Sequence, residues 1–303
     1  MLMKEHLSRY RLAADLLPAE LRSCVLRCPE EICLQTEEFR LRAGRELSLL
    51  GNGGEVVLPG AAVSCRDLQT VLDRSTEFSA YRWAESICRG FVTARGGCRV
   101  GLCGTAVLRG GEIATVQELS SVSIRIAKAV KGCAAALFPQ LWHGGRMEST
   151  LIVAPPGGGK TTLLRDLIRL LSDGDAAHPP LRVAVADERG EIAAVCQGQP
   201  QFDVGQQTDV LTGAPKAAAM TMLLRAMNPQ VIAVDEITSA EDIQTMCMAA
   251  NCGVIFLATV HGGSVAELRQ RPVCRSLLDA AIFRQFVVLE GQGEGRKVRV
   301  ERC

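Results

Sequence analysis

The run Ala154-Pro155-Pro156-Gly157-Gly158-Gly159-Lys160-Thr161-Thr162 carries the residue types that cradle phosphate. Glycines let backbone N–H groups wrap around an anion, and a helix opening at the Lys turns its positive N-terminus toward the same charge. Lys160 would bring a point charge to the β- and γ-phosphates, and Thr161 a hydroxyl for Mg²⁺. Thr162 would support the same end of the nucleotide. Ala154 stands where the general pattern has its first Gly, a change that matters only if the backbone there needs a positive φ. The whole run, Ala154 to Thr162, is expected to bind ATP with Mg²⁺.

Three apolar runs of buried-strand length end in groups that could work beside that loop. Val231-Ile232-Ala233-Val234 ends in Asp235-Glu236. An acid at the carboxyl end of such a strand faces the phosphate loop across the edge where α/β proteins bind ligands. Asp235 would enter the Mg²⁺ shell through water, and Glu236 would polarise the attacking water. Val185-Ala186 runs into Asp187-Glu188-Arg189-Gly190-Glu191, which makes Asp187 and Glu188 further catalytic candidates. Phe256-Leu257-Ala258-Thr259 leads through Val260 to His261-Gly262-Gly263. His261 is either a hydrogen-bonded structural residue or, on the shared edge, the reader of a terminal phosphate. The glycines after it would let the chain turn sharply and leave the imidazole facing the phosphates.

Positioning these groups requires strands that alternate with helices. Leu151 to Ala154, Arg182 to Ala186, Val231 to Val234 and Val254 to Thr259 are the strands; Thr162 to Leu171 and Ala217 to Met227 are the helices, the latter ended by Asn228-Pro229. That rhythm specifies a parallel α/β sheet. Phe286 to Val300 reads as a hairpin around Gly291-Gln292-Gly293-Glu294-Gly295. Before residue 145 the pattern differs. Phe39 to Leu58 forms strands around Gly51-Asn52-Gly53-Gly54, Ser64 and Asp67 open a helix as a capping box, and Tyr81 to Arg89 is helical. Phe91 to Ala94, Val100 to Leu108 and Ile113 to Ile126 follow, punctuated by Gly96-Gly97 and Gly110-Gly111 as in a meander. The expected organisation is an N-terminal α+β domain over 1–145 and a P-loop ATPase domain over 146–303.

Of the 303 residues, 48% are hydrophobic and 22% charged, enough to bury a core and too apolar for wholesale disorder. Lys and Arg number 34 against 33 Asp and Glu, a net charge of +1 that argues against a chain built to coat nucleic acid or anionic membrane. Aromatics at 4% argue against base stacking on single strands. The 13 cysteines form no C-x-x-C pair and are expected mostly as small buried residues in a reducing compartment. With only 4 His in the chain, a zinc site has weak support. The start of the chain lacks the apolar run of a secretory signal, and Ile243 to Ala266 breaks into helix end, strand and loop. A soluble, cytosolic protein is expected.

The order of these motifs resembles the secretion ATPases of type II and type IV systems. The P-loop, Asp187-Glu188-Arg189-Gly190-Glu191, Asn228-Pro229 before the acidic strand and Thr259-Val260-His261-Gly262 follow their Walker A, Asp-box, Walker B and His-box order. The chain more closely resembles the stage III sporulation protein AA family. That resemblance rests on Glu38-Phe39-Arg40-Leu41-Arg42 with Gly44-Arg45, Gly90-Phe91-Val92-Thr93, Gly97 with Arg99-Val100-Gly101-Leu102-Cys103-Gly104, Ile124-Arg125-Ile126-Ala127, and Leu164-Arg165-Asp166 after the P-loop. It implies an α/β, RecA-like P-loop NTPase core with a smaller N-terminal α+β domain. It further implies a cytoplasmic ATPase, peripheral at the mother-cell face of the forespore membrane, that energises membrane channel proteins of the sporulation complex.

A homo-oligomeric ring is also implied, hexameric in form, in which a neighbour supplies an Arg. Candidates for that Arg are Arg82, Arg125, Arg189 and Arg225. Arg40, Arg42 and Arg45 alternate along one strand and would share a solvated or partner-facing side. Secretion ATPases carry Gly-Glu where this chain has Asp235-Glu236, and Arg-Asp where it has Thr238-Ser239. The water-activating acid is therefore open between Glu236 and the Asp187/Glu188 pair. A motor is the first reading; an ATP-binding assembly platform with little turnover is the second. A nucleic-acid motor is disfavoured by charge and aromatic content, so no nucleic-acid partner is expected.

Overall fold

Antiparallel pairing organises the first part of the chain and parallel pairing the second. The computed structural model describes residues 2–51, 53–79, 83–291 and 297–302, and the chain divides into two compact units. The first comprises Met1–Ala129 with Cys196–Gln201, the second Val130–Val195 with Phe202–Cys303.

In the first unit, α1 (Leu2–Ala14), α2 (Ala19–Leu26) and α3 (Glu30–Gln35) precede β1 (Thr36–Arg42), β2 (Glu46–Gly51) and β3 (Gly54–Ala62). Then come α4 (Cys65–Ser75), α5 (Ala84–Cys88), β4 (Phe91–Thr93), β5 (Arg99–Arg109) and β6 (Glu112–Arg125). The six strands form one antiparallel sheet in the order β3-β2-β1-β6-β5-β4. Its turn between β5 and β6 is Gly110-Gly111, with φ of 63° and 87°, the left-handed pair that a tight hairpin needs. The Ser64 capping box is formed: the Asp67 amide donates to Ser64 Oγ at 3.2 Å, and the Ser64 amide donates back to Asp67 Oδ2 at 2.8 Å.

The three N-terminal helices have no counterpart in the sequence reading, although Tyr10, Ala13, Ala14 and Leu17 recur at helical spacing and are all buried. Tyr10 packs edge-on against Phe39 of β1, ring centroids 5.0 Å apart. Arg40 and Arg42 do share β1, paired with Glu38 at 2.6 Å and Glu55 at 2.5 Å. Arg45 does not continue their alternation, because the chain turns through Gly44 at φ 73° before β2 begins. Tyr81, Arg82 and Asn52 lie outside the described residues, as do the residues at 292–296 of the C-terminal turn.

The second unit opens with a small ladder, β7 (Trp142–His143) and β8 (Arg146–Met147), turned by Gly144-Gly145. Its main elements are β9 (Thr150–Ala154), α6 (Lys160–Asp173), β10 (Val183–Asp187), β11 (Thr208–Thr212), α7 (Lys216–Met227), β12 (Val231–Val234) and α8 (Ala240–Asn251). They continue with β13 (Ile255–His261), α9 (Val265–Leu268), α10 (Pro272–Asp279), β14 (Gln285–Glu290) and β15 (Lys297–Arg302). The seven-stranded sheet runs β11-β10-β12-β13-β9-β14-β15, parallel throughout except for the final hairpin.

Successive residues of each strand feed opposite cores. Ile152, Val185, Ala233 and Leu257 pack with Leu163, Leu164, Leu167 and Ile168 of α6. Val153, Ala184, Ile232 and Phe256 pack with Met220 and Leu223 of α7, Met246 of α8 and Leu277 of α10. Burial on both faces explains why these strands read as unbroken apolar runs. β11 escapes that reading because it is a partly exposed edge strand of mixed polarity. α8 is a whole helix, capped by Ser239 with Asp242, where the sequence pattern shows only a helix end.

The cysteines depart from expectation. Among those described, Cys33, Cys98, Cys196 and Cys274 are buried, but Cys65, Cys103, Cys133 and Cys252 are exposed. A small side chain is tolerated on a helix or strand surface as readily as in a core, so composition alone does not place it. Among the described residues, no helix is long and apolar enough to cross a membrane.

Candidate active site

The parallel sheet delivers four strand ends to one edge. β9 lies beside β13, with Ala154 opposite His261, and β13 lies beside β12, which lies beside β10. The phosphate loop, His261, the Asp235-Glu236 pair and Asp187 therefore leave the sheet as neighbours.

The loop after β9 has the backbone of an anion cradle. Gly157 and Gly159 have φ of 72° and 82°, left-handed values that disfavour a side chain. A Cβ on Gly158 would stand 2.9 Å from both Ala154 Cβ and the Pro155 carbonyl oxygen. Ala154 is not among the positive-φ residues, which is why Ala serves where the general pattern has Gly. α6 starts without a side-chain cap, so its first N–H groups point at the loop with no protein acceptor from a cap.

Lys160 is buried, and its ammonium spends its hydrogens on the carbonyls of Ala154 at 3.1 Å and Pro155 at 3.3 Å and on His261 Nδ1 at 2.7 Å. Burial pushes its pKa down, against the opposing pull of the Asp235 and Glu236 charges. An ammonium has no lone pair, so Nδ1 accepts and the imidazole proton sits on Nε2. That nitrogen lies 2.6 Å from Glu236 Oε1, and the other Glu236 oxygen takes Arg189 at 3.0 Å. Glu236 itself has φ 56°, a left-handed conformation rare for a residue with a side chain.

Asp235 is held from both sides. Thr161 donates to its Oδ2 at 2.7 Å and Thr259 to its Oδ1 at 2.6 Å. The Asp187 and Glu188 side chains are engaged elsewhere. Asp187 is buried, and its carboxylate accepts from the amides of Glu191 at 2.9 Å, Ile192 at 3.1 Å and Ala193 at 2.9 Å. Burial raises its pKa while those amides oppose the rise. Glu188 pairs with Lys216 at 3.0 Å, and Lys216 lies 3.9 Å from Asp242. All of these acids except Asp242 line one small cavity with Arg189 and Lys216.

Neither Gly262 nor Gly263 has a positive φ, so whatever turn follows His261 does not draw on the left-handed region. A Cβ at Gly262 would meet Leu268 Cδ2 at 2.7 Å, so a larger residue there would have to push that side chain aside. Of the arginine candidates, Arg189 pairs with Glu236 of its own chain, Arg125 lies 3.8 Å from Glu38 in the first unit, and Arg225 lines a groove of about 550 Å³ on α7 and α8. Arg82 lies outside the described residues.

Three residues at the site make contacts that sequence reasoning does not assign. Thr259 binds both acids after β12; its signal is a hydroxyl inside an apolar strand that ends at the site. Lys216 opens α7, the helix end where a cation is disfavoured by the macrodipole, so its charge there called for an acidic partner. Arg165 donates to the carbonyls of Ile192 and Glu191, both at 2.6 Å, and fixes the loop that Asp187 also holds.

The fold is shared with solved structures. The X-ray structure of the Legionella pneumophila ATPase DotB matches at a TM-score of 0.56 and 17% identity, covering 90% of this chain and 77% of that one. The pilus retraction motor PilT with bound ADP matches at a TM-score of 0.57 and 17% identity, covering 88% of this chain and 78% of that one. The fold is thus the RecA-like P-loop fold found in secretion ATPases. At the level of sequence, the family model "Sporulation stage III, protein AA" matches residues 9–301. Stage III sporulation protein AA of Bacillus subtilis is 37% identical over 276 residues, 91% of this chain and 89% of that protein. The chain belongs to the stage III sporulation protein AA family.

Proposed function

We propose that this chain hydrolyses ATP at the edge built by Lys160, Thr161, Asp235, Glu236 and His261. The observation that carries the reading is the unbroken contact chain from the Lys160 ammonium through His261 to the Glu236 carboxylate. Beside it, Thr161 and Asp235 are already joined at 2.7 Å.

The residues suit a nucleotide with its metal. The Gly158 cradle admits no Cβ, and the uncapped start of α6 offers N–H donors to phosphate. Thr161 and Asp235 would hold Mg²⁺, an oxygen-seeking ion that neutralises phosphate charge when bound. Lys160 grips the phosphates, and its own pairing with His261 couples the imidazole to that grip. Glu236 is the acid that draws the proton from water. Asp187 is ill suited to that task, since it is buried and held by three backbone amides of its own loop, whereas Glu236 is partly exposed and held by the side chains of His261 and Arg189; Asp187 serves to hold the loop. Glu188, paired with Lys216, serves the same end.

Family membership supports a cytoplasmic protein acting during spore formation, assembled as a hexameric ring. Docked on channel proteins at the mother-cell face of the forespore membrane, the ring would convert turnover into movement of its subunits.

Phosphate release by the parent and by Glu236→Gln tests the catalytic reading. The amide keeps the shape but cannot take a proton, so turnover should fall on the order of a hundredfold or more while ATP binding is retained. A variant that turns over near the parent rate would overturn the assignment. A parent that binds ATP without turnover would make the chain an assembly platform.

A further inference from the structure

We infer that Thr259 is a positioning residue that locks Asp235 and Glu236 into one unit, so that metal and base are presented in fixed relation. The inference rests on the proposed hydrolytic role of those two acids.

Thr259 lies within β13 and is fully buried, paired across to Ile152 of β9. Its other side faces the chain that leaves β12. There it engages three consecutive residues. Its hydroxyl donates to Asp235 Oδ1 at 2.6 Å, and the same oxygen accepts the Glu236 amide at 2.8 Å. Its carbonyl accepts the Ile237 amide at 3.0 Å. A hydroxyl has one proton to give and lone pairs to receive, so this side chain gives its proton to the Asp235 carboxylate and receives the Glu236 backbone amide.

The backbone gives that commitment a purpose. Glu236 sits at φ 56°, a left-handed conformation uncommon for a residue with a Cβ. The bond from its amide to Thr259 is what anchors the peptide in that orientation, and from there its carboxylate reaches His261 at 2.6 Å. On the other arm, Thr259 fixes Asp235 Oδ1 and so directs Oδ2 toward Thr161 at 2.7 Å. The hydroxyl thus ties the Asp235 carboxylate to the backbone of Glu236. Serine could make the same bonds. Valine has the same shape and can make neither.

The test uses the purified full chain as parent, Thr259→Val and Thr259→Ser. Two quantities are read: Mn²⁺ affinity in the presence of ADP, followed by the free-ion electron paramagnetic resonance signal, and phosphate release as kcat and KM for ATP. Thr259→Val should weaken Mn²⁺ binding about tenfold and lower kcat by more, with ADP binding in the absence of metal unchanged. Thr259→Ser should restore both. Thr259→Ala supplies the same comparison if the Val variant does not fold. Val and Ser variants that match the parent in both readouts would overturn the inference, as would a Ser variant as impaired as Val, which would assign the role to the methyl group and packing. If the parent releases no phosphate, the hydrolytic reading fails, while the Mn²⁺ comparison still decides whether Thr259 orients Asp235.

Discussion

Replacing His261 with Ala removes, among the described residues, the one side-chain partner of the Lys160 ammonium, leaving it two backbone carbonyls. A hydrogen bond to a charged group contributes about 1.5–3 kcal/mol, and His261, at 36% side-chain exposure, leaves room for water to replace part of it. The lower end, about 1.5 kcal/mol, is therefore the expected loss in stability without nucleotide, equivalent to a fall in melting temperature of roughly 3–6 °C. Binding reverses the sign of that effect. In the parent, phosphate competes with His261 for Lys160; in the variant the competitor is gone. ADP affinity should hold or rise, by no more than about tenfold. If the His261 imidazole reads the terminal phosphate, ATP should not share the gain, and the preference for ATP over ADP should fall. Calorimetric titration with ADP and with a non-hydrolysable ATP analogue, plus a melting curve on the same sample, measures all three quantities. A lower melting point with an unchanged preference would refute the reading of His261 as a phosphate sensor and leave it a structural residue.

Lys160→Ala should weaken ATP binding by at least about a hundredfold, the worth of two charge-assisted bonds, because the phosphate loop holds no other cation. Binding as tight as the parent's in a folded variant would refute the loop assignment. Asp187→Asn tests the buried carboxyl through pH. Burial raises the folded pKa of Asp187 above its unfolded value, so its contribution to stability is full below the ordinary aspartate range and is lost as pH rises through the folded value. Asparagine lacks that dependence. The stability gap between parent and variant in urea melts should be widest at acid pH and narrow toward neutrality, and a gap that widens with pH would contradict the burial of the carboxyl.

Sequence alone determines what depends on near neighbours. Gly157 and Gly159 announce a left-handed cradle, Ser64 with Asp67 announces a helix start, and unbroken apolar runs announce strands covered on both faces. The same logic reaches Asp235, Glu236 and His261, because each follows such a run and parallel strands end on one edge. It does not reach α1 to α3, whose apolar stripe is sparse until it meets Phe39. Nor does it separate the acids. Asp187 and Glu236 look alike as carboxylates after buried strands, yet one is consumed by three amides of its own loop and the other faces His261. Thr259 reads as one more β-former until β13 is laid beside β12. Only the tertiary structure decides these contacts, since strand order in the sheet, with β9 inserted between β13 and β14, is set by burying both faces under helices distant in sequence. Local preferences act over a turn or a strand, whereas a hydrogen bond between residues on different strands exists only once that packing has chosen which strands are neighbours.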